Sequence, residues 1–162
     1  MADSLDDLLA TVTVTVQHGT GGPLWPGVVA LRQRVFGDEQ GIVEAGASDP
    51  EDEDSIHAIA SLADDDLAPV VVAAGRVTLN HQGRNEAIIA WVATERTFRR
   101  MGIGREVMYA LLDQADLAGI GETVLAAQRH AEEFYAEFGF LPTGPPYKVR
   151  GIPHRWMSRS RP

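Results

Sequence analysis

The sequence predicts an α+β domain built on a mixed, mostly antiparallel sheet flanked by helices. Three apolar, strand-like segments follow one another between residues 56 and 94, and short polar turns join them. This arrangement predicts antiparallel neighbours. A glycine-containing turn, an amphipathic helix and a further strand come next, which predicts a β–α–β crossover. An antiparallel run followed by a crossover indicates a mixed sheet.

The amino-terminal part is predicted to begin with a strand and a helix. Residues 12–16 alternate valine with threonine, the pattern of a half-buried strand. Apolar residues between positions 28 and 36 recur at helical spacing, and Gly37 is predicted to end this helix. Residues 37–54 form a polar stretch, and a loop of this length is usually functional or disordered. Its carboxylates lack the ordered spacing of a calcium loop, so they predict a solvated charge run without a metal.

The remaining elements follow from hydrophobic periodicity and from turn residues. The predicted strands cover residues 56–62, 70–79, 86–94, 123–127 and 147–157. The predicted helices cover residues 103–118, ended by Gly119 and Gly121, and 131–138, closed by Gly139. Exposed turns are predicted at residues 64–66 and 80–83.

Composition limits the class of protein. The 162 residues, 44% of them hydrophobic and 23% charged, suit one soluble domain with its core between about residues 10 and 157. The chain has no cysteine, which excludes disulfides and thiolate metal sites. No apolar run approaches the ~20 residues that span a bilayer. The acidic first residues lack the basic region of a signal peptide, so a cytoplasmic location and no membrane partner are expected.

Charge is distributed unevenly along the chain. Residues 1–66 carry 14 acidic side chains and two arginines, whereas residues 67–162 carry nine acidic and twelve basic side chains. Without a broad basic face, nucleic-acid binding is not expected. The basic part is suited to an anionic cofactor and the acidic part to a cationic substrate. The alternative is that the acidic residues only form a solvated surface.

Residues 99–104, Arg-Arg-Met-Gly-Ile-Gly, are the most informative segment. They lie between an apolar strand and a periodic helix. Two glycines allow the backbone to turn and to approach a ligand closely. The helix that follows directs unpaired N–H groups and its positive dipole end toward an anion. A tight turn that binds nothing is the alternative, and the nearby arginines at positions 99, 100 and 105 favour phosphate.

Several motifs occur in this chain in the same order as in one known protein family. Residues 99–104 resemble the pyrophosphate loop of the GCN5-related N-acetyltransferases (GNATs), and residues 134–140, Phe-Tyr-x-x-x-Gly-Phe, resemble their penultimate helix and strand. Residues 31–41 with His57, and Gly-Ile-Pro-His at residues 151–154, are similar to the ElaA-like branch. The resemblance covers about residues 28–157. It implies the GNAT acyl-CoA N-acyltransferase fold and acetyl transfer from acetyl-CoA to an amine.

The resemblance also implies functional residues. Tyr135 takes the position of the group that assists the departing thiolate. The candidates for the base that deprotonates the amine are Glu39, Glu44, His57, His130 and His154, of which Glu39 and His57 are preferred. The residues implied in binding acetyl-CoA are Val92, Ala93, Thr94, Arg99, Arg100, Met101, Gly102, Ile103, Gly104, Arg105 and Gln128.

Two alternatives remain open from the sequence. For each candidate base a structural function is an alternative, and Tyr135 also fits an aromatic core stripe. A catalytically silent acetyl-CoA-binding sensor or regulatory module is the alternative to an active enzyme. The retained tyrosine and the intact loop favour the enzyme. The acceptor amine is not specified by the sequence, and a homodimer is a possible assembly.

Overall fold

The computed structural model describes residues 5–45, 49–63 and 67–162. Within these residues, the strands are β1 Val12–His18, β2 Ile56–Leu62, β3 Val70–Thr78, β4 Glu86–Thr94, β5 Glu122–Gln128, β6 Leu141–Pro142, β7 Tyr147–Val149 and β8 Ile152–Ser160. The helices are α1 Leu5–Ala10, α2 Trp25–Arg32, α3 Ile103–Leu117 and α4 Glu132–Ala136. A π-helical segment, Gln33–Glu39, continues directly from α2. Short 3₁₀ turns lie at His81–Gly83, Arg96–Phe98 and Arg129–Ala131.

The strands form one mixed sheet in the order β1-β2-β3-β4-β5-β8-β6, with β7 paired to β8. Strand β4 pairs with β5 in parallel, whereas β1 with β2 and β5 with β8 are antiparallel. The predicted α+β fold with a mixed, mostly antiparallel sheet is therefore confirmed. In the described ranges, no helix has the length and apolar character needed to cross a membrane.

The chain packs as two compact units, of which the first comprises Met1–Arg76 and Trp91–Leu112. Its core joins α2 and the π-helical segment to the sheet and contains Val28, Leu31, Val35, Ile59, Val71, Ala74 and Ala93. Gly75 permits close packing of α3, because a Cβ there would lie 2.8 Å from Leu111 Cδ1 and 3.2 Å from Val107 Cγ1. The apolar stripe predicted for this helix is thus the face that contacts β3.

The second unit comprises Val77–Ala90 and Asp113–Pro162. Strand β5 is central to it: Glu122–Leu125 pair with β4, and the whole of β5 pairs with β8 from Glu122↔Ser160 to Gln128↔His154. Phe138, Phe140 and Met157 are buried around this strand. Gly139 takes φ +91°, a conformation that glycine adopts without a steric penalty, and it follows α4 as predicted.

Three predictions about elements are corrected. Gly37 does not end the second helix, because the chain continues in π-helical form to Glu39 and Gly41 supplies the positive φ of +74°. Residues 147–157 are not one strand but the hairpin of β7 and the start of β8, turned at Arg150 and Gly151. Helix α1 was not predicted. The predicted turn at residues 64–66 lies outside the described residues.

Candidate functional site

The segment 99–104 has the backbone of an anion-binding turn. Arg100 takes φ +64° and Gly102 φ +84°, and Ile103 begins α3. A Cβ on Gly102 would meet no atom within 4 Å, so its backbone faces open space. The first amides of α3 have no acceptor within the helix and point toward its amino end. This turn suits a phosphate group, as the glycine pattern predicts.

The side chain of Arg99 is engaged by the protein itself. Its Nη2 lies 2.6 Å from Glu39 Oε2, and its Nε donates to the carbonyl oxygen of Thr94 at 3.0 Å. The structure therefore brings together Glu39, predicted as a base, and Arg99, predicted as a phosphate ligand. This ion pair joins the turn to the π-helical segment, and Arg100 and Arg105 are the other arginines in and next to the turn.

The π-helical segment contacts the chain around this turn at two further points. Arg34 Nε lies 2.6 Å from Glu95 Oε2, just after β4. The ring of Phe36 meets that of Trp91 edge to face at 5.1 Å between centroids. π-Helical turns are uncommon and often lie at functional sites. Here the segment presents Arg34, Phe36 and Glu39 to the stretch between Trp91 and Arg99.

Strand β4 departs from regular strand geometry at Trp91, and this distortion is termed the bulge. Its pairing with β5 extends from Glu86 to Ile89, and Trp91 then takes φ +55°. A positive φ is uncommon for a bulky residue and marks a break in a regular strand. Val92, Ala93 and Thr94, which are among the residues predicted to bind acetyl-CoA, follow this bulge directly.

A buried ionic cluster lies beneath the bulge. Asp52 accepts hydrogen bonds from Arg32 at 2.8 and 3.1 Å and from Arg76 Nη1 at 3.0 Å, and these three side chains are 1–3% exposed. The guanidinium of Arg32 also lies over the rings of Trp25 and Trp91, at 5.2 and 4.9 Å. The polar stretch predicted to be a solvated charge run thus contains a buried carboxylate, and that prediction was wrong for Asp52.

Charge balance explains why this carboxylate remains ionised. Burial alone would raise the pKa of Asp52, but the hydrogen bonds and charges of Arg32 and Arg76 outweigh burial and lower it. The pKa of Asp49 is also lowered: burial opposes ionisation, and the amide of Glu51, the indole of Trp91 and the charge of Arg76 favour it. The cluster therefore carries charge at neutral pH.

His57 is part of the same cluster. Its Nε2 donates to the carbonyl oxygen of Asp52 at 2.9 Å, and its ring meets Trp25 edge to face at 4.8 Å. Burial lowers the pKa of His57, which keeps it neutral at pH 7. Because the side chain is 1% exposed, these contacts favour the structural alternative for this base candidate.

Tyr135 lies on α4 in the second unit. Its ring contacts Phe134 and Phe140 edge to face, at 5.2 and 6.3 Å between centroids. Burial raises the pKa of Tyr135 to about 12. The hydroxyl therefore stays protonated throughout the pH range in which enzymes are assayed. A protonated hydroxyl in an apolar setting is suited to donate a hydrogen bond to an anion.

An open cavity of about 600 Å³ lies beside α4 in the same unit. Its lining residues are Arg129, His130, Glu132, Glu133, Ile152 and Pro153. Gln128 precedes this lining at the end of β5 and pairs in register with His154. His154 itself is held by Tyr147, stacked at 5.9 Å, and its Nδ1 donates to the carbonyl oxygen of Ile152 at 2.8 Å.

Glu44 lies in a turn at φ +61° and is exposed. Within the ranges that the structure describes, no group of three or more His, Asp or Glu side chains is placed to hold a metal ion.

The sequence did not predict that Trp91 distorts β4 or that Asp49 and Asp52 belong to a buried ionic cluster. No adjacent glycine and no motif spacing marks these three residues.

The chain is similar to proteins of one known family. A family model described as an acetyltransferase (GNAT) domain matches residues 59–161. A UPF0039 protein of Synechocystis is 35% identical over 129 residues, which cover 78% of this chain and 80% of that protein. The protein ElaA of Escherichia coli is 34% identical over 97 residues, which cover 59% of this chain and 52% of ElaA.

Solved structures confirm the predicted fold. An acyl-CoA N-acyltransferase from Pseudomonas aeruginosa superposes with a TM-score of 0.77 at 25% identity, covering 92% of this chain and 99% of that one. The crystal structure of Escherichia coli ElaA superposes with a TM-score of 0.79 at 24% identity, also over 92% and 99% of the two chains.

Proposed function

Because the chain belongs to the GNAT family of N-acetyltransferases, we propose that it transfers the acetyl group of acetyl-CoA to a primary amine by direct attack in a ternary complex. The amine nitrogen forms a bond to the thioester carbon, the carbon–sulfur bond breaks, the amine loses a proton and the thiolate gains one. The absence of cysteine supports the direct route, because no thiol is present to carry the acetyl group. The observation that carries this proposal is the open, positive-φ turn at Gly102.

The turn and the bulged strand supply the groups proposed to hold acetyl-CoA. Backbone amides of residues 100–105 are directed at the diphosphate, with the charges of Arg100 and Arg105 beside them. The backbone of Val92, Ala93 and Thr94 after the bulge is proposed to bind the pantetheine arm, and Gln128 to contribute a further polar contact. The Glu39–Arg99 pair, at 2.6 Å, holds the turn in place and leaves Glu39 unsuited to act as the base.

Tyr135 is proposed to donate a hydrogen bond to the departing sulfur. A thiol has a pKa of about 8.5, whereas that of Tyr135 is raised to about 12. The difference makes complete proton transfer from tyrosine to thiolate unfavourable by about 5 kcal/mol. Stabilisation of the developing charge by a hydrogen bond is therefore the function that the environment of Tyr135 supports.

The cavity beside α4 is proposed to receive the acceptor amine. Glu132 and Glu133 offer carboxylates to a cationic amine, and Ile152 and Pro153 offer apolar contact. An alkyl amine with a pKa near ~10.4 arrives protonated and must lose that proton before attack. Among the predicted base candidates, His130 lines this cavity, and we propose it as the group that accepts the proton.

The proposed base leads to a prediction about the rate of acetyl transfer. Replacement His130→Ala is expected to lower kcat/KM for the amine by about 100-fold, because a positioned base contributes 10²–10⁴ to the rate. His81→Ala, which removes an imidazole from a turn outside the cavity lining, is the matched control. A kcat/KM for the amine in His130→Ala that equals that of the wild type would reject this assignment.

Binding of acetyl-CoA is tested at the turn itself. Gly102→Glu is expected to weaken acetyl-CoA binding by about 100-fold, because a carboxylate would face the phosphates and like charges repel strongly. Gly83→Glu is the matched control, since Gly83 also has a positive φ, of +72°, and open space around its Cβ position. Isothermal calorimetry measures the affinity, and thermal unfolding verifies that both variants fold. Equal affinity of Gly102→Glu and wild type would refute the proposed cradle.

A further inference from the structure

We propose that Asp49 is a positioning residue for acetyl-CoA binding, and that it acts by fixing the bulge at Trp91. This inference rests on the proposed function, in which the backbone after the bulge binds the pantetheine arm. Asp49 does not itself contact that backbone in this assignment. Asp49 fixes the indole ring of Trp91, and the fixed ring maintains the φ angle of that residue. This angle sets the position of the backbone of Val92, Ala93 and Thr94.

The bulge needs external support. A tryptophan at φ +55° is an unfavourable conformation that persists only when its surroundings hold it. Three contacts hold the ring of Trp91. Its Nε1 donates to Asp49 Oδ2 at 3.0 Å, its edge meets Phe36 at 5.1 Å, and the guanidinium of Arg32 lies over its face at 4.9 Å. Only the first of these is a directional hydrogen bond, so it is the contact that specifies the rotation of the indole.

The carboxylate of Asp49 is itself rigidly held. Its Oδ1 accepts the amide of Glu51 at 2.9 Å, and its Oδ2 also lies 3.1 Å from Arg76 Nη1. The backbone amide of Asp49 donates to Asp52 Oδ2 at 3.1 Å. The acceptor for Trp91 is thus anchored in the buried cluster through its side chain and its backbone. A fixed acceptor can impose an orientation on its donor, whereas a mobile surface carboxylate cannot.

The chain offers a matched pair of acidic residues for the test. Glu51 pairs with the same guanidinium as Asp49, with its Oε2 3.2 Å from Arg76 Nη2, but the hydrogen bond to Trp91 belongs to Asp49. Glu51→Ala therefore removes an ion pair of Arg76 and keeps the hydrogen bond between Asp49 and Trp91 that supports the bulge. Asp49→Asn retains one oxygen that can accept the indole hydrogen bond, but it removes the charge and places an NH₂ group where the other oxygen accepts the amide of Glu51. Asp49→Ala removes both the acceptor oxygen and the charge.

The expected result separates affinity from turnover. Asp49→Ala should raise the Kd and KM for acetyl-CoA about tenfold, the scale of one lost hydrogen bond, with kcat within about twofold of wild type. Asp49→Asn should restore most of the affinity, and Glu51→Ala should retain it. Trp91→Phe, which removes the donor, should match Asp49→Ala, and the double variant should be no weaker than either single variant.

A measurement without acetyl-CoA distinguishes the failure of this inference from the failure of the proposed function. In ¹H–¹⁵N spectra of the free protein, Asp49→Ala should shift the indole N–H of Trp91 and the amides of Val92, Ala93 and Thr94, whereas Glu51→Ala should leave them in place. If wild type does not bind acetyl-CoA, the proposed function fails, whatever the spectra show. If wild type binds and Asp49→Ala keeps its affinity, or if Glu51→Ala weakens binding equally, the positioning inference is overturned. Should Asp49→Ala not fold, Trp91→Phe against Asp49→Asn decides the same question.

Discussion

The variant Tyr135→Phe is expected to lose about 100-fold in kcat, at the lower end of what one preorganised hydrogen-bond donor to a developing negative charge contributes. The KM values for acetyl-CoA and for the amine should change little, because the hydroxyl is proposed to act on charge that develops only as the carbon–sulfur bond breaks. The phenyl ring retains the edge-to-face contacts with Phe134 and Phe140, so the loss should not come from unfolding.

The raised pKa of Tyr135 adds a pH dependence to this expectation. The hydroxyl is active only when protonated, and a pKa of about 12 extends the protonated range well above that of an ordinary tyrosine. Wild-type kcat should therefore show no loss from tyrosine ionisation between about pH 8 and pH 10, where a tyrosine with the usual pKa of about 10 would begin to lose its proton.

The measurement is steady-state kinetics of free-thiol release with a panel of amines. Tyr109→Phe is the control, since it makes the same chemical change at an exposed position on α3. Undiminished kcat in Tyr135→Phe would leave the aromatic-core alternative as the explanation for this residue. A wild-type protein that binds acetyl-CoA but acetylates no amine in the panel would instead favour the sensor over the proposed reaction.

Elements with a local signal were predictable from the sequence. Strand β2 was predicted at residues 56–62 and lies at Ile56–Leu62, and β4 was predicted at about 86–94 and lies at Glu86–Thr94. In both cases an apolar run is bounded by polar residues, and the pattern does not depend on distant partners. The turn at residues 99–104 was predictable for the same reason, because glycine reports a backbone requirement at its own position.

Features that depend on distant partners were not predictable. Asp52 is buried because Arg32 and Arg76 neutralise it, and these arginines are 20 and 24 residues away in sequence. The acidic stretch by itself predicts side chains that are exposed to solvent. The bulge at Trp91 has no glycine or proline to mark it, so an aromatic residue in an apolar run indicates a regular strand.

The carboxy-terminal hairpin was only partly predictable from the sequence. Arg150 and Gly151 take φ +50° and +79°, and Val149 pairs with Ile152 across them. Two residues with positive φ are typical of the tight turns that join antiparallel strands. Glycine in the second position was a usable signal, but arginine is an unusual first residue, and the segment was therefore interpreted as one continuous strand.

The largest expected effect on stability is that of Asp52→Ala. Removal of this carboxylate leaves Arg32 and Arg76, which are 2% and 3% exposed, without their shared buried partner. Breaking a buried ionic group in this way costs about 3–5 kcal/mol of the free energy of unfolding. The remaining partners of Arg76, Asp49 and Glu51, lie nearer the surface and compensate only part of its charge.

Urea unfolding at pH 7 measures this loss of stability. Circular dichroism and fluorescence monitor the same unfolding, and the transitions that the two probes report should coincide if unfolding is two-state. Asp116→Ala is the matched control. Asp116 pairs with Arg159 at 3.2 Å, but its side chain is one-third exposed. Partly exposed pairs contribute about 0–1 kcal/mol, so the control should lose far less stability. Similar losses in the two variants would show that the buried cluster does not stabilise the fold as argued.

The pH dependence of the free energy of unfolding, measured for the wild type and for Asp52→Ala, isolates the charge of Asp52. Because the folded pKa of Asp52 lies below its ordinary value of 3.8, its ionised form stabilises the folded state above pH 3.8, and the contribution is lost as pH falls through the folded pKa. The wild type should therefore lose stability below about pH 4, where free carboxylates gain protons. The difference between wild type and Asp52→Ala should narrow over the same interval. A difference that stays constant from pH 7 to pH 3 would assign the effect of the substitution to lost packing and not to the charge that joins Arg32 to Arg76.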